Sequence, residues 1–402
     1  MGAQVEHPSL RQPVTLIVDD PNPGYNPAYF HSGFRNGPMF VPRTLVDEFA
    51  DLVEACGIRG KFSVIPNPFG LGRIDQDLQG VSRADLHYFL DVVRSRIAPY
   101  LDITPEVLTH WNALDLATGQ LLPYWEHVWS RSQDRTTLEP YLTLALQILE
   151  NVDLPCAGMT SPWDFGDGVE IEYAEALLAA QRALYGNTFT WYFLQMDATS
   201  PQVAPHRTVF RPESHEAVVG IVACDAFDFG YAVWHGGAPA PDLLISADGA
   251  SGRLVEVLNA GGPAAFHTHW QTLFSQGTRS GLHALRAVAD RLADHYGERI
   301  VWTRCADLAR YAAVAASVDL APLSETPEQL VFQITAPFPC PGFTLSLDLP
   351  HAVRTVRVAA APLSHASDPS SLREGFYLQN EGRLTLCWAL QDSQHLVIDL
   401  QE

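Results

Sequence analysis

The chain has 402 residues, 47% of them hydrophobic, which is enough to bury a large core and, by ordinary domain size, to build two domains. Its 46 acidic and 25 basic side chains leave a formal charge of -21, and a surface of that sign repels phosphate backbones and anionic lipid heads. Nucleic acid and membranes are therefore not expected partners. The opening residues, 1–13, lack the basic and then apolar run of a secretory signal, and no segment offers about 18 uncharged apolar residues in succession. The expected location is cytoplasmic. Six cysteines stand singly, with no CxxC pair to hold zinc or a redox disulfide.

Along the chain, the first predicted strand covers residues 14–18 and ends abruptly in Asp19-Asp20-Pro21. Adjacent carboxylates repel unless a cation sits beside them, and a divalent metal with one carboxylate as ligand and the other as base is one solution; a solvated turn is the other reading. A helix over 42–56 follows, then a strand over 61–65, and a second helix over 83–97. The next predicted strand, 106–109, delivers His110 and Trp111, an imidazole of the kind that binds zinc. Apolar residues three and four apart predict helices over 139–151, 172–185 and 280–296, with strands over 218–223 and 264–267 between them. The last of these strands ends at His267, with His269 two residues on; if the backbone stays extended past the strand, both rings turn to one side.

Strands that alternate with helices predict a parallel sheet with its working residues at the strands' carboxyl ends. From about Ala316 the helical period gives way to alternating runs at 330–334, 343–347, 353–358, 384–390 and 396–400. Prolines punctuate them, as expected of a small antiparallel β-sandwich. The division expected is a catalytic unit over 1–315 and an accessory β-domain over 316–402 that supports the first unit or a homodimer.

Taken in order, these segments resemble the polysaccharide deacetylases. Thr15–Asp20 is similar to that family's first motif, Thr109-His110 to the start of its histidine-bearing second motif, Ser161-Pro162-Trp163 to its third, and Phe266-His267 to its late strand. The resemblance covers about residues 13–311 and implies an α/β fold, a distorted (β/α) barrel, with a divalent metal, most often zinc, at its centre. It further implies Asp20 and His110 as metal ligands, Asp19 as base and His267 as acid, in a hydrolase removing an N- or O-acyl group from a carbohydrate or related small substrate. The family's second metal-binding histidine falls on Leu114, so His31 or His269 must supply the missing ligand, with His269 preferred. Asp115 is offset by one. The third-motif arginine is also replaced, and Arg211 is one group that could orient Asp19 in its place. Trp111, Trp163, Trp234, Trp270 and His31 are the expected substrate contacts, because aromatic faces beside a polar pocket suit sugar rings. These departures keep open a divergent glycoside hydrolase or a non-catalytic carbohydrate-binding protein on the same fold.

Overall fold

The computed structural model describes residues 2–23, 41–225 and 228–401. A short strand β1 (Ala3–Val5) precedes β2 (Gln12–Asp19), a run of small and branched apolar residues buried along nearly its whole length. Strand β2 pairs in parallel with β3 (Gly60–Val64), which pairs with β4 (Leu101–Pro105). A hairpin of β5 (Asn112–Asp115) and β6 (Gln120–Trp125) stands apart. A second sheet joins β7 (Gly158–Thr160), β8 (Phe189–Met196) and β10 (Glu216–Ala223) in parallel, with β9 (His206–Arg211) antiparallel at its edge. Finally β11 (Ala264–His269) and β12 (Ile300–Trp302) return to pair with β2.

Seven parallel strands therefore follow one another around a distorted (β/α) barrel in the order β2, β3, β4, β7, β8, β10, β11. Two seams keep the ladder from closing. At one, Glu106 and Thr160 form a single bridge; at the other, the Cys224 N–H donates to the Ala265 carbonyl at 2.6 Å.

Side chains alternate across this wall. Val14, Leu16 and Val18 face outward into a core shared with the helices Thr44–Cys56, Arg83–Val92, Arg135–Glu150, Glu170–Tyr185 and Ser280–Tyr296. Inward, the β8–β10 side is apolar, with Trp191, Phe193, Val219 and Ile221. The β2–β4 side carries buried Asp19, Lys61, Ser63, Thr104 and Glu106 instead. That polar half-lining is what the fold supplies for chemistry.

The chain leaves the barrel through the helix Cys305–Ala315 and enters two antiparallel-rich sheets that begin at Asp319. Side chains of that helix join Ile17, Trp191 and Ile221 of the barrel to Leu330, Phe343, Trp388 and Ile398 of the C-terminal sheets in one core. Strand β1 belongs to those sheets as well, pairing antiparallel with Cys340–Asp348. Among the described residues, no helix is long and apolar enough to cross a membrane.

Candidate metal and acid–base site

A cavity of about 600 Å³ opens at the carboxyl ends of the parallel strands, with Asp19, Asp20, Glu106, His110, His267 and His269 in its wall. Asp20 follows the last residue of β2 with φ +70°, in the left-handed region that non-glycine residues seldom occupy. This turn aims the Asp20 N–H at Glu106 Oε2, 2.7 Å away, and the Ser63 hydroxyl donates to the same oxygen at 2.7 Å. Glu106 sits just past β4, so the carboxylates of two strand ends meet in one place. His110 completes the group. Its Nε2 lies 2.9 Å from Asp20 Oδ1 and 3.2 Å from Glu106 Oε1.

The loop carrying His110 is fixed from behind by Glu126. Both carboxylate oxygens of Glu126 accept backbone N–H groups, from Thr109 and His110 at 3.0 Å each, and the Tyr141 hydroxyl donates at 2.6 Å. This clamp holds His110 at φ +50°, a backbone state that needs surrounding structure to enforce it. Burial pushes the Glu126 carboxyl up to about 7 despite those bonds.

One donor atom from each of Asp20, Glu106 and His110 lies within 4.8 Å of the others, and all three residues are buried. Burial alone would lower the His110 pKa, but the Asp20 and Glu106 carboxylates outweigh it and hold it well above the usual imidazole range. Burial would likewise raise Asp20, and the His110 charge and hydrogen bond reverse that to a net lowering. Gln271 donates to Asp20 Oδ2. Two carboxylate oxygens and an imidazole nitrogen, buried and convergent with a cavity alongside, are a donor set that fits a divalent cation and leaves coordination positions open.

Asp19 and His267 flank this group. Asp19 is paired with Lys61, a fully buried lysine of β3. Arg211, the residue expected to orient it, instead pairs with Glu175 and, at 3.0 Å, with Glu216 on the outside of the barrel. His267 gives its Nδ1 to Asp225 Oδ1 at 2.9 Å, which leaves Nε2 for the cavity. Burial lowers the His267 pKa, and the Asp225 and Asp228 carboxylates together reverse that to a net rise. His269 makes the same kind of pair with Asp228, Nδ1 to Oδ2 at 3.0 Å, while the Asp228 carboxylate also accepts the Thr268 hydroxyl. Burial opposes a charged His269, yet the Asp228 hydrogen bond and the Asp20 charge push it up to about 9.

The residue that groups with Asp20 and His110 is Glu106, four residues before His110 rather than four after it. His269 lines the same cavity but is outside the group of three donors. Leu114 and Asp115 lie on the β5–β6 hairpin, where Asp115 accepts the Ala117 N–H at 2.9 Å in an exposed turn. Of the expected aromatic contacts, Trp163 lines the cavity with 48% of its surface exposed. Trp111 stacks on Phe69 with ring centroids 4.4 Å apart, one aromatic layer back from Trp163 through Trp125. Trp270 is only 1% exposed and packs in the outer core, because the first turn of the helix Trp270–Phe274 carries it away from the cavity. His31 and the side chain of Trp234 lie outside the described residues.

Sequence reasoning misses Asp225 and Asp228, although Asp225 follows the predicted strand at 218–223 and a search for polar residues after that strand finds it. Glu126 lacks strand-end context and so reads as solvated from sequence; it is buried, because the loop before it needs its two oxygens.

At the level of sequence, no family model and no curated protein matches the chain. Among solved structures, a probable polysaccharide deacetylase from Pseudomonas aeruginosa PAO1 aligns over 75% of this chain and 91% of its own, with 11% identity and a TM-score of 0.43. A glycoside hydrolase family 30 subfamily 8 xylanase, Xyn30A, from Clostridium acetobutylicum aligns over 99% of both chains, with 12% identity and a TM-score of 0.32. A mutant of BA3943, described as a CE4 family pseudoenzyme, aligns over 75% of this chain and 71% of its own, with 10% identity and a TM-score of 0.33. Likeness this low leaves the functional argument to the geometry of the site.

Proposed function

We propose that this chain is a metal-dependent hydrolase that removes an N- or O-acyl group from a carbohydrate or related small substrate. The observation that carries the reading is the meeting, in one cavity, of the Asp20, Glu106 and His110 donor set with a carboxylate, Asp19, and a carboxylate-backed imidazole, His267. Asp20, Glu106 and His110 are the residues that would hold the metal. Zinc is the first expectation, and the two oxygen donors also suit manganese or cobalt. When bound there, a divalent cation would polarise the acyl carbonyl and acidify a water.

The protein's own groups then divide the proton work. Asp19 Oδ2 has no hydrogen-bond partner among the described residues, so it is the oxygen placed to take a proton from the attacking water. His267, whose Nδ1 is held by Asp225, is the group that would donate from Nε2 to the departing amine or alcohol. Trp163 offers an aromatic face at the cavity wall on which a sugar ring can stack. Phe193, Leu194 and Met196 add apolar surface to the cavity wall, which suits an acyl group.

The test is acetate release from a panel of N- and O-acetylated mono- and oligosaccharides, with the protein loaded with zinc, manganese or cobalt. The expected result is turnover on at least one member, abolished by a chelator and restored by metal. Saccharide binding that is indifferent to chelation, with no turnover on any member, would reject the hydrolase reading in favour of a binding protein.

A further inference from the structure

We infer that Lys61 is a positioning residue that sets the orientation of the Asp19 carboxylate, an inference that rests on the reading of Asp19 as the base. Strand β3 runs parallel to β2 with Lys61 opposite Ile17, so the lysine starts one dipeptide behind Asp19 on the same inward face. Its four-carbon stem reaches forward along the wall. The two strands approach closely here, since a Cβ at Gly60 would lie 1.8 Å from the Leu16 carbonyl oxygen.

An ammonium has three donors, and burial without partners is costly. All three are engaged. Nζ donates to Asp19 Oδ1, to Thr160 Oγ1 at 2.7 Å and to the Val18 carbonyl at 3.4 Å, and it lies 5.3 Å from the centre of the Phe193 ring. Thr160 is itself held by Thr104 at 2.8 Å. The lysine is therefore anchored on two sides before it meets Asp19, and among the described residues no other group bonds the Asp19 carboxylate. One oxygen is fixed and the other is left to the cavity. By contrast, no hydrogen bond links Lys61 to Asp20, Glu106 or His110, whose placement comes from Ser63, Gln271, Glu126 and one another. Removing the lysine should therefore misplace the base and leave the donor set intact.

The experiment compares Lys61→Met, Lys61→Arg, Asp19→Asn and the Lys61→Met/Asp19→Asn double variant as full chains reconstituted with zinc. Zinc content, urea unfolding and turnover of an acylated sugar cleaved by wild type are measured for each. Expected are unchanged zinc in all four and a kcat for Lys61→Met lowered about 100-fold with KM within about threefold. Lys61→Arg should recover at least about tenfold of that loss, because a cation returns beside Asp19. The double variant should turn over no more slowly than Asp19→Asn alone. In urea it should show a coupling of about tenfold or more in the unfolding constant, since with Asp19→Asn in place the loss of the lysine no longer strands a buried charge. Loss of zinc in Lys61→Met, or additive effects on both stability and kcat, would overturn the assignment. A wild type inactive on every substrate would defeat the hydrolase reading and the base with it, whereas an active wild type with an additive cycle defeats Lys61 alone.

Discussion

Trp270 meets Phe49 and Phe62 edge-on, with ring centroids 5.7 and 5.5 Å apart, whereas Trp163 stands half exposed at the cavity wall. Their truncations should separate packing from recognition. Trp270→Ala removes a fully enclosed side chain and is expected to cost about 3–5 kcal/mol in urea unfolding, the range for large aromatic cavities. Trp163→Ala is expected to cost less than about 1 kcal/mol, while raising KM for an oligosaccharide substrate about tenfold, as loss of a stacking face does. Equal destabilisation by the two changes would contradict this division. From sequence the two tryptophans are indistinguishable, since each closes a site-like segment, Ser161-Pro162-Trp163 and His267-Thr268-His269-Trp270, and only the backbone direction after β11 tells them apart. Asp19, Asp20, His110 and His267 were legible because each ends an apolar run. Glu106 was not, because it was placed at the start of a strand rather than at the end of one.

That misplacement has a physical cause at the level of elements. Residues 107–109 are as apolar and buried as a strand, yet Val107 has φ +35° and His110 φ +50°, so the segment is a folded-back loop held by Glu126. The strand lies just before it, at Leu101–Pro105, where Asp102 and Thr104 alternate with Leu101 and Ile103. Strand β7 has three residues, too few to show a period, and β8 is a nearly continuous aromatic run that periodicity cannot tell from a buried helix.

The start of β4 also carries a pH-dependent contribution. Asp102 Oδ2 accepts the Ala306 N–H at 2.7 Å at the start of the helix Cys305–Ala315, and burial, outweighing that bond and the nearby Arg304 charge, pushes its carboxyl up to about 7. A folded pKa above the unfolded one means that the folded chain holds a proton the unfolded chain has lost. The contribution is therefore full below the unfolded value of 3.8 and declines until pH is past about 7. Asp102→Asn keeps an acceptor but removes the titration. Between pH 4.5 and pH 8, wild type should lose about 3 kcal/mol relative to this variant in urea unfolding. Parallel stability profiles across that range would show that the carboxyl is not perturbed.

At the scale of the whole molecule, the barrel and the C-terminal sheets share a core. Leu308, Ala309 and Ala313 share one core with Ile221 of β10 and with Phe343 and Leu345 of the C-terminal sheets, and β1 pairs with Cys340–Asp348. A chain ended at Ser317 would expose that apolar surface and leave β1 without its partner strand. It is expected to aggregate or unfold at a temperature well below that of the full chain, and a monomeric product of unchanged melting temperature in size-exclusion and calorimetric measurements would show otherwise. The change from helical to alternating period near residue 316 was plain in the sequence. The pairing of residues 3–5 with the far end of the chain was not, because three residues carry no register signal.

We propose that Asp20, Glu106 and His110 hold one divalent cation while Asp19 does not. The most direct test is zinc content after reconstitution and desalting, for wild type, Asp20→Asn, Glu106→Gln, His110→Ala and Asp19→Asn. The account predicts near-stoichiometric zinc in wild type and in Asp19→Asn, and affinity weakened about tenfold or more in each of the other three. Zinc retained equally by all five proteins, or lost from Asp19→Asn as completely as from Glu106→Gln, would contradict it.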